Sequence, residues 1–264
     1  MSGTGSLNGV RVLVTRPAAQ AEVLCRMIEA RGGVALRLPA LEIIGPTNPD
    51  DLRRAVSGLD RYDWAVFVST NAVDGALSAL HGDRLLPPGL KLATVGRRTA
   101  ESLERRGYRV DACPAEDFTS EGLLAHPAMQ AVAGMRFAIF RGNGGRDELA
   151  RTLARRGAHC DYVEAYRRAR PVADVHRIRE LAIDAGIDVI LANSAESLEN
   201  IWTMLDGDRN AWLASAQLVI PNARLAPIAA RLGFVKPPRV ADNATDQAMV
   251  DALVAGCASS RDPD

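Results

Sequence analysis

Short apolar runs alternate along the chain with stretches in which apolar residues recur at helical spacing. The first run covers residues 10–14, and the stretch after it has the spacing of an amphipathic helix. Its apolar residues are Ala21, Leu24, Cys25 and Ile28. Gly32 and Gly33 end that stretch, and a second extended run covers residues 34–44. This order predicts a β-α-β unit whose two strands are parallel.

The same alternation continues along the rest of the chain. Further apolar runs of strand length cover residues 64–68, 92–95, 137–140, 189–192 and 218–220. Each run leads into polar or glycine residues and then into a stretch with helical spacing. Strands that alternate with helices in this way are typical of parallel sheets that helices cover on both faces. The predicted fold class is therefore α/β, with doubly wound parallel sheets.

The chain also contains an internal repeat. The string VRVLVTRP at residues 10–17 matches MRFAIFRG at residues 135–142, about 125 positions later. The same spacing relates Arg16 to Arg141, Asp63 to Asp188 and Ser69 to Ser194. Because one spacing holds along the whole chain, we expect a duplication and two similar α/β domains.

The charge balance excludes one class of partner. The chain carries 32 basic and 32 acidic side chains, so its formal net charge is zero. Bulk nucleic-acid binding leaves a basic footprint, and we therefore expect no nucleic-acid partner. Only Lys91 and Lys236 are lysines, so arginine supplies nearly all the positive charge. High genomic GC content explains that bias, and arginine forks that bind carboxylates or phosphates are the alternative explanation.

No stretch of the sequence indicates membrane insertion or secretion. The longest apolar runs have the length of strands and fall far short of the roughly 20 residues of a membrane-spanning helix. The first nine residues, MSGTGSLNG, lack the basic and apolar regions of a signal peptide. We therefore expect a cytoplasmic protein that makes no membrane contact.

Cysteines and histidines are scattered without the spacing of a metal site. The four cysteines are Cys25, Cys113, Cys160 and Cys257, and the four histidines are His81, His126, His159 and His176. No C-x-x-C pair occurs, and no histidines stand at zinc-ligand spacing. We expect reduced cysteines that pack as small apolar residues, and no metal.

Small polar residues, glycine and arginine follow the predicted strands, where open α/β sheets bind their ligands. Those of the first copy are Thr15, Arg16, Ser69, Asn71, Gly96 and Thr99. Those of the second copy are Arg141, Gly142, Gly144, Arg146, Ser194, Ser197, Asn222 and Arg224. Each strand leads into a helix N-terminus, which favours anions. The pattern predicts an anion-binding edge, although Ser, Thr and Asn are also the commonest helix caps.

The glycine-rich turn at residues 141–146, RGNGGR, does not match a nucleotide-binding motif. It lacks the Lys-Ser/Thr of a P-loop, and Asp147 stands where G-x-G-x-x-G requires its last glycine. The nucleophile elbow G-x-S-x-G is also absent. The sequence therefore indicates neither a nucleotide site nor a conventional hydrolase.

Tyr166, in the string VEAYRR, is a candidate proton donor. It lies in the extended run after the first helix of the second copy. A phenol at that place is able to donate a proton to a leaving group. The alternative is a boundary aromatic whose ring is packed and whose hydroxyl contacts water.

Several strings in order resemble uroporphyrinogen-III synthases. These are VLVTRP, FVSTNAV, ATVGRRTAESLERRGY, AEDFTSEGLL, FRGNGGRDELARTLARRGA and VEAYRR. The resemblance runs from Val10 to about Val254. It implies two flavodoxin-like domains joined by a two-strand linker, with the active site in the cleft between them. Domain 1 would comprise residues 1–35 and 170–264, the linker strands residues 36–41 and 163–169, and domain 2 residues 42–162.

The resemblance also implies a reaction. Enzymes of this family are hydro-lyases of haem and tetrapyrrole biosynthesis that close the linear tetrapyrrole hydroxymethylbilane into uroporphyrinogen III. Water leaves to give an azafulvene, the substituted α-carbon of ring D attacks it, and the resulting spiro-pyrrolenine fragments and recloses with ring D inverted. No cofactor takes part, and the free bilane closes by itself to the wrong isomer. The enzyme therefore acts mainly by positioning, which supplies large rate factors.

For the residues, the resemblance makes Tyr166 the group that assists departure of the hydroxyl. The polar strand ends would bind the four acetates and four propionates of the substrate. The run IPNAR, with Asn222 and Arg224, departs from a more usual Ser- or Thr-rich run of the family. We expect a monomer, and the sequence leaves open a transient contact with the enzyme that makes the substrate.

Two other functions stay open at the level of sequence. One is a non-catalytic homologue that binds a tetrapyrrole within a regulatory assembly. The other is a two-domain small-ligand binder of the periplasmic type, against which the lack of a signal peptide counts. Only an enzyme would control which product isomer forms.

Overall fold

The computed structural model of the chain describes residues 6–80, 85–172, 175–184 and 186–258. Its strands are β1 Arg11–Val14, β2 Val34–Arg37, β3 Glu42–Ile44, β4 Trp64–Phe67, β5 Lys91–Thr94, β6 Arg136–Gly142, β7 His159–Ala169, β8 Val189–Leu191, β9 Gln217–Ile220 and β10 Arg239–Val240. Its α-helices are α1 Ala18–Glu29, α2 Pro49–Ser57, α3 Thr70–Ser78, α4 Arg97–Glu104, α5 Ser120–Ala125, α6 Glu148–Arg155, α7 His176–Asp184, α8 Ala195–Met204, α9 Ala211–Ser215, α10 Ala226–Leu232 and α11 Asp246–Ala258. The chain divides into two compact units: unit 1 is residues 1–42 and 169–264, and unit 2 is residues 43–168.

The sheet of unit 1 has five strands in the order β2-β1-β8-β9-β10. All of its pairs are parallel, and β1 pairs with β2 in an unbroken register from Arg11 opposite Val34 to Val14 opposite Arg37. Numbered along the chain within this unit, the order is 2-1-3-4-5, which is that of flavodoxin-like sheets. Two strands come from the first copy of the repeat and three from the second.

The sheet of unit 2 has the order β3-β7-β6-β4-β5. The pairs β7-β6, β6-β4 and β4-β5 are parallel, and Ala93 of β5 forms a further parallel bridge to Ala112. Here β6 and β7 belong to the second copy, whereas β4 and β5 belong to the first. The first β-α-β segment of each copy therefore completes the sheet of the other copy.

Each sheet is buried on both faces, which explains its continuous apolar runs. In unit 1, Leu13 packs into the cluster that contains α8, whereas its neighbours Val12 and Val14 pack into the cluster that contains α1. In unit 2, Phe67 and Phe140 stack at a centroid distance of 5.0 Å on one face. Trp64 and Phe137 stack at 6.0 Å on the other.

The amphipathic pattern of the first helix is confirmed, because Ala21, Leu24, Cys25 and Ile28 are its buried residues. The single extended run predicted over residues 34–44 is wrong, because it forms β2 and β3, which belong to different sheets. Pro39, which has no N–H to donate to a ladder, lies in the break. Leu38 and Ala40 on either side of it are buried in unit 1.

The segments expected as linker strands contribute to the sheets. Leu36 and Arg37 are the last residues of β2. Residues 163–169 are the second half of β7, and this strand pairs with β6 as far as Tyr166. The exact extent of a linker stays a prediction.

The cysteine prediction is confirmed in part. Cys25 is fully buried and free, whereas the free Cys113 and Cys160 are only half-buried. Burial raises the pKa of the Cys160 thiol to about 11, so this thiol stays protonated at neutral pH. Three features lie outside the described residues. They are the side chain of Cys257, the whole of His81, and residues 1–5, which are part of the segment on which the signal-peptide argument rests.

Within the described ranges, no helix is long and apolar enough to cross a membrane. The same part of the chain holds no cluster of three or more His, Cys, Asp or Glu residues arranged to bind a metal ion.

Candidate functional site

Each sheet has a switch point, where two neighbouring strands send their helices to opposite faces. In unit 1 it lies between β1 and β8, because α1 packs on one face and α8 on the other. In unit 2 it lies between β6 and β4, because α6 and α3 pack on opposite faces. Ligands of open α/β sheets bind at the carboxyl ends of strands at such points.

A cavity of about 520 Å³ opens at the switch point of unit 2. Its floor includes Val68 after β4 and Ile139 on β6, and its walls come from the glycine-rich turn, the start of α5 and the end of β7. Three arginines and one glutamate line it: Arg141, Arg146, Arg168 and Glu121. The cavity is therefore open, polar and rich in positive charge.

Tyr166 lies at the inner wall of this cavity. Only 5% of its surface is exposed, and it also lines a second cavity of about 440 Å³ on the α3 side of the sheet. Its ring packs against Gly142, where a Cβ atom would stand 2.8 Å from ring atoms Cε2 and Cζ. The phenol is therefore held by close packing on a strand, which gives it a defined direction.

Ser69 completes the surroundings of the Tyr166 hydroxyl. Its Oγ donates to Tyr166 Oη at 3.1 Å and accepts from the backbone N–H of Ala72 at 3.2 Å, as the N-cap of α3. In this arrangement the serine's own hydrogen is used on the tyrosine, so the phenol hydrogen points elsewhere. Ser69 also brings the positive end of the α3 dipole to the phenol oxygen.

Arg141 holds the glycine-rich turn in place. Its Nε donates to the carbonyl of Gly144 at 3.0 Å, its Nη1 pairs with Asp147 at 2.9 Å, and its guanidinium lies 4.5 Å from the centroid of the Tyr162 ring. Only 12% of its side chain is exposed. Partial burial and the Asp147 carboxylate both raise the pKa of Tyr162, so this phenol is neutral at physiological pH. Arg141 therefore shapes the cavity, and a direct substrate contact stays a prediction.

Arg146 is the accessible cation of the turn. Its side chain is 79% exposed and pairs with Glu121 at 3.1 Å. An exposed pair of this kind contributes only about 0–1 kcal/mol, so an incoming carboxylate is able to replace Glu121 at little cost.

The other predicted residues of unit 2 lie around α3 and α4. Asn71, in the first turn of α3, lines the second cavity beside Tyr166. Gly96 is the N-cap of α4, and Thr99 is buried in its first turn. Substrate binding by Gly96 and Thr99 stays a prediction.

Unit 1 uses its counterparts for internal contacts. Thr15 is 1% exposed, and its hydroxyl donates to the carbonyl of Leu191 at 2.7 Å, which ties β1 to β8. Arg16 pairs with Asp246 at 2.7 Å and donates to the carbonyl of Ala244 at 2.8 Å. The hydroxyl of Thr15 and the charge of Arg16 are therefore both used within their own unit, and substrate binding by these two residues stays a prediction.

Replacing Thr15 tests the structural role of its hydroxyl. We expect Thr15→Val to lower the free energy of unfolding by about 1 kcal/mol, because a buried O–H···O bond is lost. Thermal unfolding measures this loss, with Thr15→Ser as the matched control that keeps the hydroxyl. If Thr15→Val instead changes the affinity for the substrate and leaves the free energy of unfolding unchanged, Thr15 is a substrate-binding residue.

The remaining predicted residues of unit 1 lie at helix starts. Ser194 caps α8 by accepting from the N–H of Ser197 at 3.1 Å, and the two hydroxyls lie 2.9 Å apart. Asn222 accepts from the N–H of Arg224 at 3.1 Å, and both residues are exposed. These contacts are those of helix caps, and substrate binding by these four residues stays a prediction.

The cavity also contains residues that sequence reasoning did not single out. Tyr162 and Arg168 line it from β7, and Phe118, Thr119 and Ser120 line it from the start of α5. Asn143, the third residue of RGNGGR, bonds to β7 through its side chain and its backbone. Asn143 is an exception, because it already belongs to the polar residues that the sequence places after the strands, whereas nothing local marks the α5 residues.

Comparison with known sequences gives one consistent result. A family model described as uroporphyrinogen-III synthase HemD matches residues 22–251. A uroporphyrinogen-III synthase of Salmonella typhimurium is 32% identical over 245 residues, which is 92% of this chain and 99% of the relative. The uroporphyrinogen-III synthase of Escherichia coli K12 is 32% identical over 244 residues, with the same coverage of both chains.

Solved structures show the same fold. A mutant uroporphyrinogen III synthase from the extreme thermophile Thermus thermophilus aligns with a TM-score of 0.62 at 18% identity, over 96% of this chain and all of that one. A uroporphyrinogen-III synthetase from Helicobacter pylori 26695 aligns with a TM-score of 0.60 at 10% identity, over 93% and 99% of the two chains. At such identities the likeness supports the fold alone.

Proposed function

The chain belongs to the uroporphyrinogen-III synthase family, and on that premise we propose that it closes hydroxymethylbilane into uroporphyrinogen III in tetrapyrrole biosynthesis. The observation that carries the proposal is the setting of Tyr166. A buried phenol faces a 520 Å³ polar cavity and receives a hydrogen bond from the N-cap of a helix. That is a proton donor beside a place where an anionic substrate fits.

Tyr166 is the group that we propose protonates the departing hydroxyl. Water then leaves, and the phenolate that remains is stabilised by the Ser69 O–H at 3.1 Å and by the positive end of α3. Reclosure onto the unsubstituted α-carbon of ring D releases a proton, so the phenol is restored and the reaction is balanced. The protein has no need of a metal or organic cofactor in this scheme.

The carboxylates of the substrate are the proposed partners of the charged cavity wall. Arg146 exchanges its exposed pair with Glu121 for an acetate or propionate, and Arg168 faces the same cavity. Asn71, Ser194, Asn222 and Arg224 stand at other strand ends and are the further binding residues we propose. We also propose that the protein acts in the cytoplasm as a monomer, without a membrane or nucleic-acid partner.

An isomer-resolved product assay tests the function. We expect fresh hydroxymethylbilane to be converted mainly to the type III isomer, in proportion to the enzyme added. Binding of the substrate with formation of type I alone, at the spontaneous rate, would identify a non-catalytic tetrapyrrole-binding homologue instead. If the protein neither binds hydroxymethylbilane nor changes the product, the result would favour a binder of another small ligand.

A further inference from the structure

The end of β7 that carries Tyr166 is irregular. Arg141 of β6 stands opposite Glu164, whereas the next residue, Gly142, stands opposite Tyr166. Ala165 is therefore an extra residue without a partner on β6, which is a β-bulge. A bulge re-aims the side chain beside it, and bulges are common next to active sites. In this strand the extra residue places the phenol, and not Ala165, against the bare backbone of Gly142.

Asn143 makes three hydrogen bonds to β7 just beyond this bulge. Its backbone N–H donates to the carbonyl of Tyr166 at 3.2 Å. Its Oδ1 accepts from the N–H of Arg168 at 2.7 Å, and its Nδ2 donates to the carbonyl of Arg168 at 3.3 Å. The amide thus continues the contact between the two segments where the regular ladder ends, and it ties Tyr166 and Arg168 to the glycine-rich turn.

The corresponding strand end of unit 1 lacks the asparagine. The ladder of β1 with β2 ends at Val14 opposite Arg37, before the position that corresponds to the bulge, and the repeat places Ala18, in the first turn of α1, at the position of Asn143. An alanine side chain has no hydrogen-bonding group. The asparagine therefore occurs in the unit that carries the phenol, where it bonds to the strand end beyond the bulge.

We propose that Asn143 is a positioning residue for the reaction: it holds the bulged end of β7 so that the Tyr166 phenol faces the cavity. The proposal rests on the function proposed above for Tyr166. The Asn143 amide bonds to the backbone of β7 through both its oxygen and its nitrogen, so we expect its loss to change turnover and to leave binding nearly intact.

A double-mutant cycle tests the role in turnover. We expect Asn143→Ala to lower kcat by about fivefold to tenfold, because small misplacements of reacting groups are costly, and to change KM by less than about twofold. In the Tyr166→Phe background the same substitution changes kcat by less than about twofold, because the two residues act as one unit. An equal loss of kcat in both backgrounds would overturn the proposal.

The matched control is Asn210→Ala in unit 1. Asn210 also uses its amide on backbone groups, donating to the carbonyls of Leu205 at 2.6 Å and Asp206 at 3.1 Å. We expect this variant to lose stability while kcat stays unchanged. Asn143→Asp, which keeps the acceptor for the Arg168 N–H, replaces Asn143→Ala in the cycle if the alanine variant does not fold.

A second readout does not depend on activity. The chain has four tyrosines, so ¹³Cζ-tyrosine labelling gives four signals, and Tyr166→Phe assigns the one of interest. We expect the Tyr166 signal to shift in Asn143→Ala and to stay in place in Asn210→Ala. An unmoved signal in Asn143→Ala overturns the positioning role. Failure of the native protein to form the type III isomer instead overturns the proposed function, and the labelling experiment still decides the role of Asn143.

Discussion

Tyr166→Phe is expected to lower kcat for uroporphyrinogen III formation by about tenfold to a hundredfold. The variant loses the proton donor, and general acid catalysis contributes factors of roughly a hundred or more. We expect a smaller factor here, because the hydroxyl of the free bilane also leaves without an enzyme. The ring keeps its packing against Gly142, so KM changes little. Steady-state rates with isomer analysis measure both quantities.

Tyr108→Phe is the matched control for that substitution. Tyr108 packs against the same hydrophobic cluster as Tyr166 but does not line the cavity at the switch point. We expect its loss of a hydroxyl to leave kcat unchanged. A Tyr166→Phe enzyme as fast as the native one would remove the phenol from the mechanism.

Gly142→Ala is the second substitution with a large expected effect. The added Cβ would lie 2.8 Å from two atoms of the Tyr166 ring and 3.1 Å from its hydroxyl. The buried ring has little room to move, so we expect a loss of about 1–3 kcal/mol in the free energy of unfolding from overpacking. We also expect kcat to fall about tenfold or more, because the phenol is displaced from its place beside Ser69.

Gly89→Ala separates the steric effect from the general effect of losing a glycine. A Cβ at Gly89 meets no atom within 4 Å. We expect this variant to retain native stability to within about 0.5 kcal/mol, as surface substitutions usually do, and native kcat. Equal behaviour of the two variants in thermal unfolding and in the assay would contradict the close-packing account of Tyr166.

The fold is readable in the sequence to a large extent because its signals are local and repeated. The apolar run of each strand, the helical spacing of Leu24 and Ile28, and the match of Arg16 with Arg141 all follow from nearby residues or from one constant spacing. The exchange of β-α-β segments between the two sheets is not local. Periodicity is the same whichever sheet a strand joins, so only the resemblance to a family suggested it.

The candidate site is less readable, because its properties depend on partners that are distant in sequence. Nothing near Arg16 shows that Asp246 balances its charge, and nothing near Thr15 shows that its hydroxyl is used on Leu191. The bulge at Ala165 is a matter of register between β6 and β7, which a single strand does not encode. Tyr166 could be singled out by its chemistry, but its partner Ser69 required the folded sheet.

The most direct test of the account is a crystal structure of the protein with uroporphyrinogen III bound. The account predicts product carboxylates on Arg146 or Arg168 and the Tyr166 hydroxyl within hydrogen-bond reach of the macrocycle, about 3 Å or through one water. Product bound with the cavity of unit 2 empty, and Tyr166 Oη away from the macrocycle, would contradict it.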